Sequence, residues 1–320
     1  MSDKKFVVSS TPHIRSNDSI QSIMQDVAIA LLPATLVGMY MFGLPAIFTI
    51  ILAVGSSVLF EYLFQKYTKQ PITINDYSAV VTGLLLALNL PPTVSPYIPI
   101  MGSFFAIIVA KQLFGGLGQN FINPALAGRA FLVASYPTEM TKWTAPVNNL
   151  VGGLDAVSTA TPLSGGEYSL ANAFIGNIGG CIGEVSALAL LIGAAYLLIK
   201  KVISWRIPTI YIGTTFVLTL LLGHGTPYDA FSQIFLGGLI IGAFFMATDY
   251  SSSPVTAKGQ VIFALGCGIL TAIIRIYGGY PEGVSYSILL MNLTVPLIER
   301  YTRPSVFGVE KQKKVKEEAK

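Results

Sequence analysis

The chain has 320 residues, 52% of them hydrophobic and only 11% charged, with a formal net charge of +4. Water-soluble domains of this size carry about 25% charged residues, so the composition excludes a soluble globule: there is too little polar surface to cover one. No aromatic residues interleave with basic ones, which also argues against nucleic acid as a partner.

The apolar residues fall in continuous runs, not in the alternating segments of about 10 residues that build membrane barrels. An all-α polytopic membrane protein is therefore expected. Residues 1–22 are polar and mixed, and the first apolar run begins too late and is too long for a signal peptide. Ten segments are predicted at 23–42, 44–64, 77–90, 97–114, 122–136, 171–199, 207–222, 228–247, 259–277 and 284–299. Several are short or interrupted. Pro33, Pro45, Pro91-Pro92, Pro99 and Pro124 break or bound the early ones, and Gly176, Gly179, Gly180 and Gly183 loosen the start of the sixth. Backbone freed at such breaks must be satisfied by protein or cavity water, so a packed bundle with internal cavities is expected.

Basic residues give the orientation. With residues 1–22 cytoplasmic and ten crossings, 17 of the 20 Lys and Arg fall on the inner side; Lys142 and Arg275 fall outside, and Arg129 lies within the fifth segment. The chain then divides into a first five-helix repeat (23–136), an extracytoplasmic loop (137–170), a second five-helix repeat (171–299) and a cytoplasmic tail (300–320). The halves echo each other. Gly83-Leu84-Leu85-Leu86 matches Gly238-Leu239-Ile240-Ile241, and Lys111 before Gly115-Gly116 matches Arg275 before Gly278-Gly279. Five crossings per half is odd, so the second half must be inverted, as in many transporters.

The external loop contains Asp155-Ala156-Val157-Ser158-Thr159-Ala160-Thr161-Pro162. This resembles the flavinylation motif Asp-x-x-Ser/Thr-Gly-Ala-Thr/Ser, with Asp155, Ser158, Ala160 and Thr161 matching and Thr159 standing where the motif has Gly. In proteins with that motif a flavin transferase outside the cytoplasm joins FMN to the last residue as a phosphoester, here Thr161. The site suits the chemistry: Thr161 offers a hydroxyl, Ala160 leaves room for a nucleotide, and Pro162 biases Thr161 toward an extended backbone.

A wider resemblance covers nearly the whole chain. Gly115-Gly116-Leu117-Gly118-Gln119-Asn120, Asn123-Pro124-Ala125, Gly128-Arg129-Ala130-Phe131, Thr82-Gly83-Leu84-Leu85 and Ala247-Thr248-Asp249 are similar to stretches of the D subunits of Rnf complexes and of their relatives, the B subunits of sodium-pumping NADH:quinone oxidoreductases. The resemblance implies two inverted five-helix repeats like those of urea transporters, covalent FMN outside, and room for a second, noncovalent flavin (riboflavin) between helices. It also implies an inner-membrane complex that couples ferredoxin:NAD oxidoreduction to Na+ or H+ translocation. Expected partners are a second FMN-carrying subunit, two further membrane subunits, iron–sulfur subunits and an NADH-binding subunit. This chain has no nicotinamide-binding Gly-x-Gly-x-x-Gly unit of its own. A solute channel or secondary transporter without cofactor, or a redox-inactive scaffold, would share the fold but lack flavin.

Other polar residues have two readings each. Asn120, Asn123 and Arg129 lie at or within the membrane, where polar groups are costly and often functional. They could border a flavin, with Asn123-Pro124 capping a half-helix, or only satisfy a broken helix. Asp76, Asp229, Asp249, Glu61 and Glu184 lie near segment ends, where a carboxylate is either solvated or faces an ion path. Asp249, inside a matched stretch, is the expected ion-pathway residue. Cys181 and Cys267 are either packing residues or a half-share of an intersubunit cluster, since a whole cluster needs about four thiolates. His13 and His224 have no ligand-spaced partner, and no metal site is expected.

Overall fold

The computed structural model describes residues 18–146, 169–176, 178–223, 226–278 and 283–304. They form helices with no β-strand among the described residues.

Helix α1 (Ile20–Phe42) starts at Ser19, whose hydroxyl accepts the Ser22 N–H in a capping box. It stops at Gly43, whose φ of 66° is a left-handed value that glycine adopts without strain. Pro45 in the first turn then opens α2 (Leu44–Tyr67), so one residue separates two long helices. Helix α3 (Ser78–Leu88) has 11 residues, about 16 Å against a hydrocarbon core of about 30 Å; it is a half-helix. Helix α4 (Tyr97–Phe104) continues through a π-helical turn at Phe105–Val109 and a 3₁₀ turn at Gln112–Phe114. Helix α5 (Pro124–Ser135) is again short, and α6 (Pro137–Met140) is a single turn.

The second half shows more breaks. The expected segment 171–199 is not one helix. It comprises α7 (Leu170–Ile175), an irregular stretch, and α8 (Ala187–Ile199). Gly176 (φ 124°) ends α7 and Ser186 caps α8, so local chemistry favours two ends over one continuous helix. Helix α9 (Arg206–Leu222) is continuous. The expected segment 228–247 is likewise two pieces, α10 (Pro227–Phe235) and α11 (Leu239–Ile241), the latter running into a π-helical turn at Gly242–Met246. They meet at 60°, around Gly237 at φ 67°. Helices α12 (Ala257–Tyr277) and α13 (Val284–Thr302) complete the chain, the last carrying Pro296 internally.

Four stretches, Ile20–Phe42, Leu44–Tyr67, Tyr97–Phe114 and Ala257–Tyr277, are long and apolar enough to cross a membrane; the bent pair ending at Met246 makes a fifth if counted as one span. Leu36, Phe48, Ile51, Leu221 and Leu297 face outward although large and apolar. In water such a surface would aggregate, and in lipid it is the solvated face. The chain is a multi-pass membrane protein.

Helix α1 packs on α8, α2 on α3 and α4, and α9 on α12, which also meets α13. Close approach rests on small residues, as usual where lipid supplies no hydrophobic drive: a Cβ on Gly193 of α8 would collide with the Ala30 carbonyl of α1. Leu86, Leu88, Leu126, Ile182, Leu239, Ile241 and Ile288 fill the centre, so the half-helices α3, α5 and α11 lie inside the ring of longer ones.

Candidate functional site

The loop before α5 forces its own composition. Gly115, Gly116 and Gly118 have φ of 114°, 93° and 85°, values that a side chain would strain. Their turns are closed by the Gly115 N–H donating to the Gln112 carbonyl and the Gly116 N–H to that of Lys111. This folding carries Asn120 and Asn123 inward, where both are buried. Asn123 is the N-cap of α5: its Oδ1 accepts from the Ala125 and Leu126 N–H groups, at 3.0 and 3.3 Å. The expected half-helix cap is therefore present. The Asn123 amide also donates to the Met246 carbonyl, across to the second half of the chain. Asn292 of α13, its amide turned to match its neighbours, donates to the Ser252 carbonyl and accepts the Asn123 N–H.

Asp249 lies in the loop after the second π-helical turn. The Ser251 and Ser252 hydroxyls donate to its Oδ2, at 3.0 and 2.9 Å, and Asn120 stands close enough to act on its side chain. Burial nonetheless dominates and pushes the carboxyl above the ordinary aspartate range, against the lowering by these hydrogen bonds. Asn120 and Asp249, predicted from distant parts of the sequence, thus touch.

Asn120, Asn123 and Asp249 border one partly open cavity of about 80 Å³. Its walls are mainly apolar, including Val81, Leu85 and Phe244, with Thr82, Thr248 and Lys111 adding polar atoms. Lys111 is 1% exposed and bonds both oxygens of Glu61, at 2.8 and 3.0 Å, and the Ser78 hydroxyl at 2.7 Å. Gln112 gives Glu61 a further hydrogen bond at 2.9 Å. Ser78 in turn donates to Asp76 at 2.6 Å, at the start of α3. Hydropathy alone misses this pair, because it places Glu61 at a segment end. The signal is Glu61 and Gln65 at one-turn spacing inside an apolar run.

Arg129 does not join this cavity. The expectation that it shares an environment with Asn120 and Asn123 is corrected by the geometry of α5. Arg129 lies one and a half turns past the cap and points to Asn89 (2.7 Å), Glu184 (3.3 Å) and the Cys181 sulfur (3.6 Å). All four residues are buried. Gly238 seals the cluster, since a Cβ there would stand 2.8 Å from Glu184 Oε1. Cys181 and Cys267 form no disulfide among the described residues and are fully buried, which suits packing rather than a cluster shared at a subunit surface. Asp229 completes a capping box at the start of α10, its carboxylate accepting the N–H of the N-cap Thr226. No group of three metal-ligating side chains occurs among the described residues. Asp155, Ser158, Ala160 and Thr161 lie outside the described residues, as does His224.

Residues 7–308 match the model of the NQR2, RnfD, RnfE family. The chain is 56% identical to the D subunit of the Na(+)-translocating ferredoxin:NAD(+) oxidoreductase complex of Acetobacterium woodii, over 98% of this chain and 99% of that one. It is 47% identical to the D subunit of the proton-translocating ferredoxin:NAD(+) oxidoreductase complex of Clostridium ljungdahlii, covering 96% and 97%. With the D subunit of the ion-translocating oxidoreductase complex of Stutzerimonas stutzeri it shares 38% identity, covering 91% and 92%. This chain belongs to the NQR2, RnfD, RnfE family.

Proposed function

We propose that this chain is the D subunit of an ion-translocating ferredoxin:NAD+ oxidoreductase complex, in which it holds FMN on Thr161 outside the membrane. The observation that carries the reading is full-length identity of 56% to a protein bearing that name, joined to the motif Asp155–Thr161 in the long loop. Isoalloxazine exchanges one or two electrons, so it links one-electron centres to hydride chemistry. Thr161 is the proposed attachment residue: a flavin transferase moves FMN from a flavin dinucleotide donor to its hydroxyl, breaking the donor's pyrophosphate bond and releasing a nucleoside monophosphate. Nicotinamide and iron–sulfur chemistry belong to the other subunits of the complex. The same reading puts both termini in the cytoplasm of a prokaryotic inner membrane and residues 137–170 on the opposite side.

The inverted five-helix repeat has support in paired contacts. Lys111 holds Ser78 at the start of half-helix α3. Arg275, its counterpart in the second half, donates to the Gln233 and Leu236 carbonyls at the break before α11. Two cations at matching sequence positions thus pin the two broken segments.

The cavity beside Asn120 and Asp249 is the proposed site of a second, noncovalent flavin, on the chemistry of its lining. Phe244 and Leu85 offer apolar faces to a planar ring, and Asp249, Thr82 and Thr248 offer polar atoms at its edge. Asn123 shapes the wall, because its side chain is occupied in capping α5 and bonding Met246. Asp249 is the ion-pathway candidate, and two of the named relatives move different ions. Na+ and H+ transport are therefore measured side by side.

Intact-mass measurement on the chain produced with the flavin transferase tests the reading. Unmodified wild-type mass, or flavin retained on Thr161→Ala, would refute it; a gain of one FMN less water, absent in Thr161→Ala, is expected.

A further inference from the structure

The start of α9 carries an open groove of mixed polar and apolar lining at the end of the helix bundle. Lys201, Trp205 and Arg206 line it on one side and Ser253 and Gln260 on the other. Lys201 and Arg206 are exposed, and no side-chain hydrogen bond or ion pair of either occurs among the described residues. Their neighbour Lys200 differs, lying 3.7 Å from Asp26. The first turn of α9 also lacks a side-chain cap, because Trp205 occupies the N-cap position without bonding the following N–H groups. Positive charge and free amide donors therefore coincide at one place.

One turn further along the same two helices the surface changes character. Ile210, Gly213 and Val217 of α9 and Leu265 and Ile269 of α12 line an apolar groove. Arg206, Ile210, Gly213 and Val217 recur every three or four residues, so they share one face of α9. Gly213 has no atom within 4 Å of where its Cβ would stand, which keeps the groove open. Trp205, 63% exposed, sits at the junction, as aromatic residues do at the boundary between hydrocarbon and headgroups.

We propose that this α9–α12 groove binds an anionic phospholipid, with its phosphate between Lys201, Arg206 and the start of α9 and an acyl chain along Gly213. Charge complementarity selects the headgroup: two unpaired cations face a site with no carboxylate in its lining. The length of the apolar groove selects a lipid rather than a free anion. Basic sites between membrane helices favour anionic headgroups in general.

Trp205 reports on the site directly, because Trp143 is the one other tryptophan in the chain. The full-length chain with Trp143→Phe is reconstituted in phosphatidylcholine vesicles and titrated with brominated phosphatidylglycerol or brominated phosphatidylcholine. Quenching of Trp205 should give the anionic lipid a preference on the order of 30-fold, as two cations near the surface would supply. Lys201→Gln with Arg206→Gln should bring the preference near unity while quenching by phosphatidylcholine persists. Equal quenching by both lipids in the wild type would overturn the proposal. So would a preference retained in the double variant, or absence of quenching by either lipid, which would mean that protein fills the groove.

Discussion

Two buried ion pairs of like composition sit in unlike surroundings. Lys111 and Glu61 are each 1% exposed, meet at 2.8 Å, and draw in Ser78 and Gln112. Arg129 and Glu184 are each 4% exposed and meet at 3.3 Å, with Asn89 closer to the guanidinium than the carboxylate is. Lys111 of the first pair stands in the wall of the cavity, and the pair ties α2 and α3 to the stretch before the glycine loop. The second stands in a packed seam joining α3, α5 and the stretch before α8, and Gly238 closes it. A buried charge must be paired and hydrogen-bonded to be tolerated. The difference separates two settings: one pair lies beside the cavity, and the other joins the two halves of the chain.

Removing one charge breaks this contrast most forcefully. Lys111→Met leaves Glu61 buried without its cation, and loss of one partner of a buried pair costs about 3–5 kcal/mol. Folded yield and thermal unfolding of the purified chain should fall accordingly. The double variant Lys111→Met, Glu61→Met should recover most of the loss, since replacing a whole buried pair with apolar residues is often neutral. Full stability in the single variant would show that the pair is solvated after all.

A smaller change probes the seam. Gly238→Ala inserts a Cβ 2.8 Å from Glu184 Oε1, and overpacking of this kind costs about 1–3 kcal/mol. Gly55→Ala, where nothing lies within 4 Å, should cost nothing by the same thermal measurement. Equal effects at both positions would remove the distinction between sealed and open packing.

The smallest expected stability effect belongs to Asp249, and it depends on pH. Burial raises its carboxyl above the unfolded value, so the folded state binds the proton more tightly. Its stability contribution is fully present below the ordinary aspartate pKa and is lost as pH rises through the elevated folded value. Asp249→Asn should flatten that stretch of the stability profile. The same variant should abolish ion transport by the complex while FMN stays on Thr161; unchanged transport would remove Asp249 from the pathway.

Much of the fold is legible because apolar runs bounded by proline and glycine mark helix ends. Gly43-Leu44-Pro45 announces the α1–α2 hinge, and Asn123-Pro124 the cap of α5. The breaks inside 171–199 and 228–247 are less visible, because Leu and Ile continue through them and hydropathy does not register a left-handed glycine. The site is half legible. Asn120 and Asp249 stand out separately, and their contact becomes visible only once the glycine loop and the second π-helical turn are folded. Arg129 falls in the wrong company when read by proximity in sequence, since its distance along α5 from Asn123 turns it to another face. Glu61 and Glu184 look like segment ends because a carboxylate carries no mark of its distant partner.

The most direct test separates flavin that stays with acid-precipitated protein from flavin released to the supernatant. The purified complex and chains bearing Thr161→Ala or, at the cavity wall, Leu85→Trp are compared. The wild-type chain should keep FMN in the pellet and release a second flavin, with Thr161→Ala losing the first alone and Leu85→Trp the second alone. A wild-type chain with no flavin in the pellet, or a Thr161→Ala chain that keeps it, would contradict the assignment of this chain as an electron carrier.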